Sequence, residues 1–192
     1  MRTRTADRLV VGLVALTAGA CASVPAEEGV GPGLGSNVVP VGSVEPSGAP
    51  VLFRYPDVRG GELTSDGLQG RVSVLLFMTT YDVPSQAEVL FLTRLHKEHT
   101  PRINVALIVL EPPESRDIVK EFVRALKLEY PVGMADAATI RGNGPFAKLQ
   151  HVPSIVILDK GGRERFRHLG PMLYPAMQAA VRGVEKDAES PK

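Results

Sequence analysis

Three apolar runs organise the chain. Arg71–Thr80 (RVSVLLFMTT), Ile103–Glu111 (INVALIVLE) and Val152–Asp159 (VPSIVILD) are rich in β-branched residues and leucine. That pattern predicts strands buried on both faces. Between the runs the period changes. After the first, Ala87, Phe91 and Leu95 recur at four-residue spacing, joined by Leu90 and Leu92. The spacing predicts a helix of about four turns with one apolar face. After the second run, SRDIVKEFVRALKLEY offers Ser115 as an N-cap and puts Ile118, Val119, Phe122 and Leu126 on one side of a second helix. YPVGM reads as a short extended piece, and ADAATIRGNGPFAKLQ as a weaker helix interrupted by Gly-Asn-Gly. After the third run, KGGRE turns the chain into RFRHLG, an edge-type strand alternating Phe166 and His168 with charges. A last helix is predicted over Pro175–Val184. Ahead of the first run, VLFRYPDVRGGELTSDGLQG breaks into extended pieces that suggest a hairpin. Strands alternating with helices predict an α/β domain around a central sheet. The hairpin across Asp159–Gly162 makes that sheet mixed.

The N-terminal part follows different rules. MRTRTADR is a basic opening, and Leu9–Ala20 (LVVGLVALTAGA) is apolar but short for a membrane span. Residues 1–20 therefore read as an export signal. The sequence AGAC ending at Cys21 resembles a bacterial lipoprotein box, in which the cysteine sulfur is lipidated, with Ala18 where leucine is usual. AGA also suits an ordinary cleaved signal, and both readings stand at this point. Ala22, rather than aspartate, follows the cysteine, which by the same resemblance is an outer-membrane address in a two-membrane envelope. From Ala22 to Pro50, 11 of 29 residues are Gly or Pro and none is aromatic. Such a stretch buries too little apolar surface to offset ordering entropy, so 21–50 is expected to be a tether, 51–186 the folded domain and 187–192 a disordered tail.

Composition removes some function classes. The 192-residue chain has a formal net charge of +1. Removing residues 1–20 takes away three arginines and one aspartate and leaves −1. No basic field argues for nucleic acid. Cys21 is the single cysteine, so no intramolecular disulfide can form.

Two stretches carry the most specific pattern. VLLFMTTYDVPSQAE is a buried strand, a short turn and a helix start; LQHVPSIVILDKGGRERFRHLG is Val-Pro opening a buried strand, then a Gly-rich hairpin. Their order and spacing over Val51–Val184 resemble the thioredoxin-like fold, a three-layer α/β arrangement with a central mixed sheet flanked by helices. The similarity is greatest to the exported, membrane-anchored thiol–disulfide oxidoreductases of the TlpA/ResA type. In that family the helix opens with Trp-Cys-x-x-Cys. The resemblance puts Tyr81 at the Trp, Asp82 at the attacking cysteine, Val83 and Pro84 between, and Ser85 at the resolving cysteine. Disulfide exchange needs a thiolate and a second thiol, and a carboxylate and a hydroxyl supply neither. An aspartate does suit a helix N-terminus, by its charge and as a cap; Ser85 reads as a surface hydroxyl. The resemblance also implies a cis Pro153 beside the turn, with Val152 presenting backbone to an extended peptide. Whether that groove still binds, or the proline only sets the strand's entry, stays open.

Other candidates are weaker. His96 and His99 lie three apart in RLHKEHT and read as the solvated end of a helix rather than metal ligands. His151 lies near the proposed rim and His168 on the edge strand. Arg141–Pro145 (RGNGP) is a loop, not a phosphate motif. The expectation is a redox-dead, lipid-anchored envelope protein that binds a peptide or partner protein, with no metal and no cofactor. The alternatives are a TlpA-type protein with a non-thiol activity at Asp82, or a structural envelope domain.

Overall fold

The computed structural model describes residues 48–149 and 151–189. The readings for residues 1–20, Cys21, residues 22–47 and residues 190–192 lie outside the described residues. The chain enters at the Asp159–Gly162 turn, where the Val51 N–H donates to the Gly162 carbonyl and Arg163 Nε to the Gly48 carbonyl. It then forms the predicted hairpin, β1 (Arg54–Pro56) against β2 (Glu62–Thr64). The positive φ of Gly60 and Gly61 supplies the turn.

The three apolar runs become β3 (Ser73–Met78), β4 (Asn104–Val109) and β6 (Ser154–Leu158). YPVGM supplies β5 (Val132–Met134), and RFRHLG lies within β7 (Glu164–Leu169) and Gly170. The sheet order is β5-β4-β3-β6-β7. Strands β3, β4 and β5 are parallel, while β6 and β7 are antiparallel to their neighbours. The mixed sheet is thus as the sequence predicts.

The period-2 alternation sorts the sheet's side chains into two cores. Val74, Leu76 and Met78 face α1 (Val83–His99), α2 (Arg116–Ala125) and α4 (Tyr174–Glu189). Helices α1 and α2 are the crossovers of two successive parallel connections running the same way across the sheet. Right-handed crossovers then put both on one face. Leu75 and Phe77 face the other way, onto Phe53 and Tyr55 of the hairpin arm and onto Phe146 and Leu149. Phe77 and Phe146 meet edge to face at 4.9 Å. The second layer is therefore mostly hairpin and loop. Its helix, α3 (Ala137–Ile140), has only four residues. Asp136 caps it, and the hydrogen bond from the Thr139 N–H holds the Asp136 carboxyl below the usual carboxylate range.

Several local expectations need correction. The buried stripe of α1 is Ser85, Glu88, Val89, Leu92 and Leu95; Ala87 and Leu90 face solvent and Phe91 is half-buried. Ile118 is exposed, because α2 turns Val119 and Val123 inward instead. Ser115 stands at the N-cap position of α2, but its side chain makes no capping bond. Helix α4 runs to Glu189, past Val184 and into the stretch expected as a tail. Its continuation is supported by an ion pair between Glu185 and Arg102 at 3.1 Å.

Candidate functional site

Strand β3 ends at Met78 and delivers a turn, Thr79–Asp82, at the C-terminal end of the parallel strands. The turn is pinned from beside. Two residues past the end of β4, Glu111 is 3% exposed, and its Oε1 accepts from the Thr80 N–H at 2.5 Å and from Thr80 Oγ1 at 2.7 Å. Gln86 of α1 reaches back, its Nε2 donating to the Thr80 carbonyl at 2.7 Å. Thr80 is thus held by its amide, hydroxyl and carbonyl.

The two positions that the resemblance assigns to sulfur bond to each other. Asp82 is the N-cap of α1, in extended backbone geometry. Its Oδ2 accepts from the Ser85 N–H at 2.8 Å and from Ser85 Oγ at 2.6 Å. A capping carboxylate satisfies one of the helix's free amides and meets the positive end of its dipole. Val83 and Pro84 occupy the first two helical positions, where proline costs no hydrogen bond. Ser85 is fully buried, not a surface hydroxyl. Tyr81 and Val83 are the opposite, 75% and 72% exposed.

The strand register brings the second stretch to this turn. Phe77 pairs with Ser154, which sets Pro153 level with Met78. The Val152–Pro153 peptide is cis. The Pro153 carbonyl accepts from the Gly170 N–H at 2.8 Å, and Ser154 Oγ donates to the His151 carbonyl at 2.5 Å. Among the described residues, no hydrogen bond reaches the backbone N–H or C=O of Val152. Tyr81–Ser85 and Val152–Pro153 therefore share one end of the sheet.

A residue the sequence reading did not single out lies behind them. Glu88, one turn into α1, is 1% exposed. Both carboxylate oxygens take the Met172 N–H, at 3.2 and 3.3 Å. Burial pushes the Glu88 carboxyl up to about 7, against the opposing pull of the Met172 N–H and of His168 on β7. His168 itself bonds from Nε2 to the Pro171 carbonyl. The signal was available: stepping back from Leu95, Leu92 and Val89 by helical spacing lands on Glu88 and Ser85.

The remaining candidates lie away from this end. His96 bonds Thr100 and packs its ring edge-on to Tyr130; His99 approaches Arg102 at 2.6 Å. Both are half-buried rather than solvated, and among the described residues no cluster of ligands suits a metal. A cavity of about 310 Å³ opens beyond β5, among Pro56, Pro113, Arg116, Met134 and Ala137, and includes none of Tyr81–Ser85.

Two measurements check this geometry. In urea unfolding, Asp82→Ala should cost about 1–3 kcal/mol, since it removes the cap and strands a buried hydroxyl. Ser85→Ala should cost about 1 kcal/mol. The double variant should fall short of the sum by roughly 1 kcal/mol, because the two share one interaction; strict additivity would show no coupling. The second concerns Glu88. Its folded pKa lies above the ordinary value of 4.5, so the folded state binds the proton more tightly. Stability should then fall as pH rises from about 4.5 to about 7 and level off above. Glu88→Gln keeps an acceptor for Met172 and removes this slope. It should gain on the order of 2 kcal/mol over the parent at pH 8, with little difference at pH 4. A parent and variant with parallel pH profiles would rule out the buried charge.

No protein-family model matches the chain. Over 111 residues it is 26% identical to the thiol-disulfide oxidoreductase ResA of Bacillus cereus, a match covering 58% of this chain and 62% of that protein's length. A secreted thiol-disulfide isomerase from Corynebacterium glutamicum is similar in structure with a TM-score of 0.62 at 20% identity, covering 70% of this chain and 84% of that one. An exposed lipoprotein thioredoxin from Streptococcus pneumoniae gives 0.58 at 17% identity, covering 69% and 98%. Cys21 is the only cysteine in the sequence, which fits loss of thiol redox activity. The chain has a thioredoxin-like fold, and in sequence it is similar to a thiol–disulfide oxidoreductase, ResA.

Proposed function

We propose that this protein is an exported thioredoxin-like domain, anchored by lipid at Cys21, that has given up disulfide exchange and binds an extended peptide or protein segment at Tyr81–Ser85 and Val152–Pro153. The observation that carries the reading is the Asp82–Ser85 hydrogen bond at the same end of the sheet as Val152, whose backbone has no partner among the described residues. The turn has no sulfur at either position, and at the same end of the sheet the Val152 backbone is open to pair with a peptide backbone. Export and anchoring are supported by Leu9–Cys21 and by structural relatives described as secreted or as an exposed lipoprotein. Acylation by more than one chain holds a protein at a membrane, whereas one chain binds marginally.

The purified protein should not accelerate insulin reduction by a dithiol above the uncatalysed rate. Asp82→Cys with Ser85→Cys should acquire such turnover. Clear activity in the parent would end the redox-dead reading, and an inert but folded double-cysteine variant would break the assignment of these positions. The anchor is checked apart from this. Mass spectrometry of membrane-extracted protein should find a diacylglyceryl group on Cys21, and Cys21→Ala should leave the protein soluble. An unmodified, soluble mature form is the contrary result.

A further inference from the structure

We propose that the segment docking at this end of the sheet carries a lysine or arginine among apolar residues, with its cationic head against Asp82. The inference rests on the docking reading above and gives the chemistry of the partner.

The apolar part follows from the rim. Tyr81 and Val83 stand out from the turn at 75% and 72% exposure, and Leu173 at 75%. Leu169 is also exposed, and its pairing with Ser154 puts it one residue from Pro153. Leu173 follows Met172, whose N–H is tied to Glu88 in α1. An isolated exposed apolar side chain is ordinary; four at one end of a sheet, around an unpaired backbone, make a patch. The extended form follows from Val152, whose N–H and C=O, without a partner among the described residues, match a strand's backbone better than a helix's.

The charge follows from Asp82. Ser85 engages only Oδ2. Among the described residues, Oδ1 takes no hydrogen bond, and Asp82 is in no ion pair although half-buried. Glu111 sits behind the same turn, bonded to Thr80 but to no cation. Further round this end, Glu114 and Asp117 are exposed and also lie outside every ion pair among the described residues. Of the cations at this end, those on α2 and β7 are engaged. Arg116 donates to the Asp57 carbonyl, His168 to the Pro171 carbonyl. Arg141, Lys148 and His151 lie on the loop that leads to Pro153. Across the turn itself the uncompensated charge is negative. A cationic side chain there gains an acceptor, and an acidic one meets Asp82 with Glu111 behind it.

Three fluorescein-labelled probes of sequence Val-Leu-X-Leu-Val test this on the exported chain, with X as lysine, norleucine or glutamate. Affinity is read by anisotropy and location by amide NMR shifts. Binding should shift Tyr81, Asp82 and Val152. The lysine probe should bind about fivefold tighter than norleucine, and glutamate weakest. High salt should erase the lysine preference. So should Asp82→Asn, which keeps a capping acceptor and hence the fold. Shifts at Val152 with equal lysine and norleucine affinities, or with glutamate favoured, overturn the charge assignment and leave docking standing. No binding by any probe, or shifts confined to another face, overturns docking itself. So does sedimentation that shows a second copy of the chain closing over Tyr81 and Leu173.

Discussion

Strand β3 is fixed on four sides, and the site depends on that. Its edges are hydrogen-bonded to β4 and to β6, and Val74 to Met78 have no measurable exposure on either face. Burying each such side chain is worth about 1.5–3 kcal/mol. Five of them outweigh any single polar contact in the turn that follows. Met78 pairs with Val109 and its carbonyl accepts from the Leu110 N–H, while Phe77 before it is held by both neighbours, so Thr79–Asp82 begins from a fixed point. The same register sets Pro153 opposite Met78 and brings Glu111, past the end of β4, within reach of Thr80. The site is thus a consequence of sheet register more than of its own bonds.

This ranking explains what holds a turn that contains no sulfur. The Asp82–Ser85 hydrogen bonds join the last residue of the turn to the first turn of α1, the two positions that the resemblance assigns to a disulfide. A hydrogen bond to a charged acceptor contributes about 1.5–3 kcal/mol, a disulfide about 2–4. The two are comparable, and neither holds the turn in place alone. They differ in response. A disulfide opens on reduction, whereas a carboxylate bonded to an amide and a hydroxyl is indifferent to redox poise. The shape of this turn is therefore the same under oxidising and reducing conditions.

Much of this was legible in the sequence, for a physical reason. A strand buried on both faces needs an unbroken apolar run, and β3, β4 and β6 each show one. The Asp82 cap could be read because turn chemistry is local; that Pro153 shares its end of the sheet came from the resemblance, since apolar runs alone do not fix strand order. Helix α1 was misread because its buried stripe is part polar. Apolar spacing chose Ala87 and Leu90, while the fold buries Ser85 and Glu88, whose hydrogen-bond partners lie on the helix itself and across the core. A polar residue is placed inward only by a partner, and the Met172 amide is 84 residues away in the chain. Ile118 failed for the converse reason: α2 is a crossover with a narrow contact, and Val119 and Val123 fill it.

Glu88 shows what fold stability alone does not account for. Its carboxylate accepts from one backbone amide, a task a neutral glutamine would perform without the cost of a desolvated charge. Near neutral pH it sits at the balance between its two forms. It ties the loop bearing Leu173 to the helix capped by Asp82, so proton binding at Glu88 acts on a contact between two parts of the exposed rim. In a protein that had kept only its scaffold, a buried acid in this place would be a liability with no return. Its position behind Ser85, on the buried stripe of the helix that Asp82 caps, makes it the link between the Leu173 loop and the end of the sheet where the turn lies.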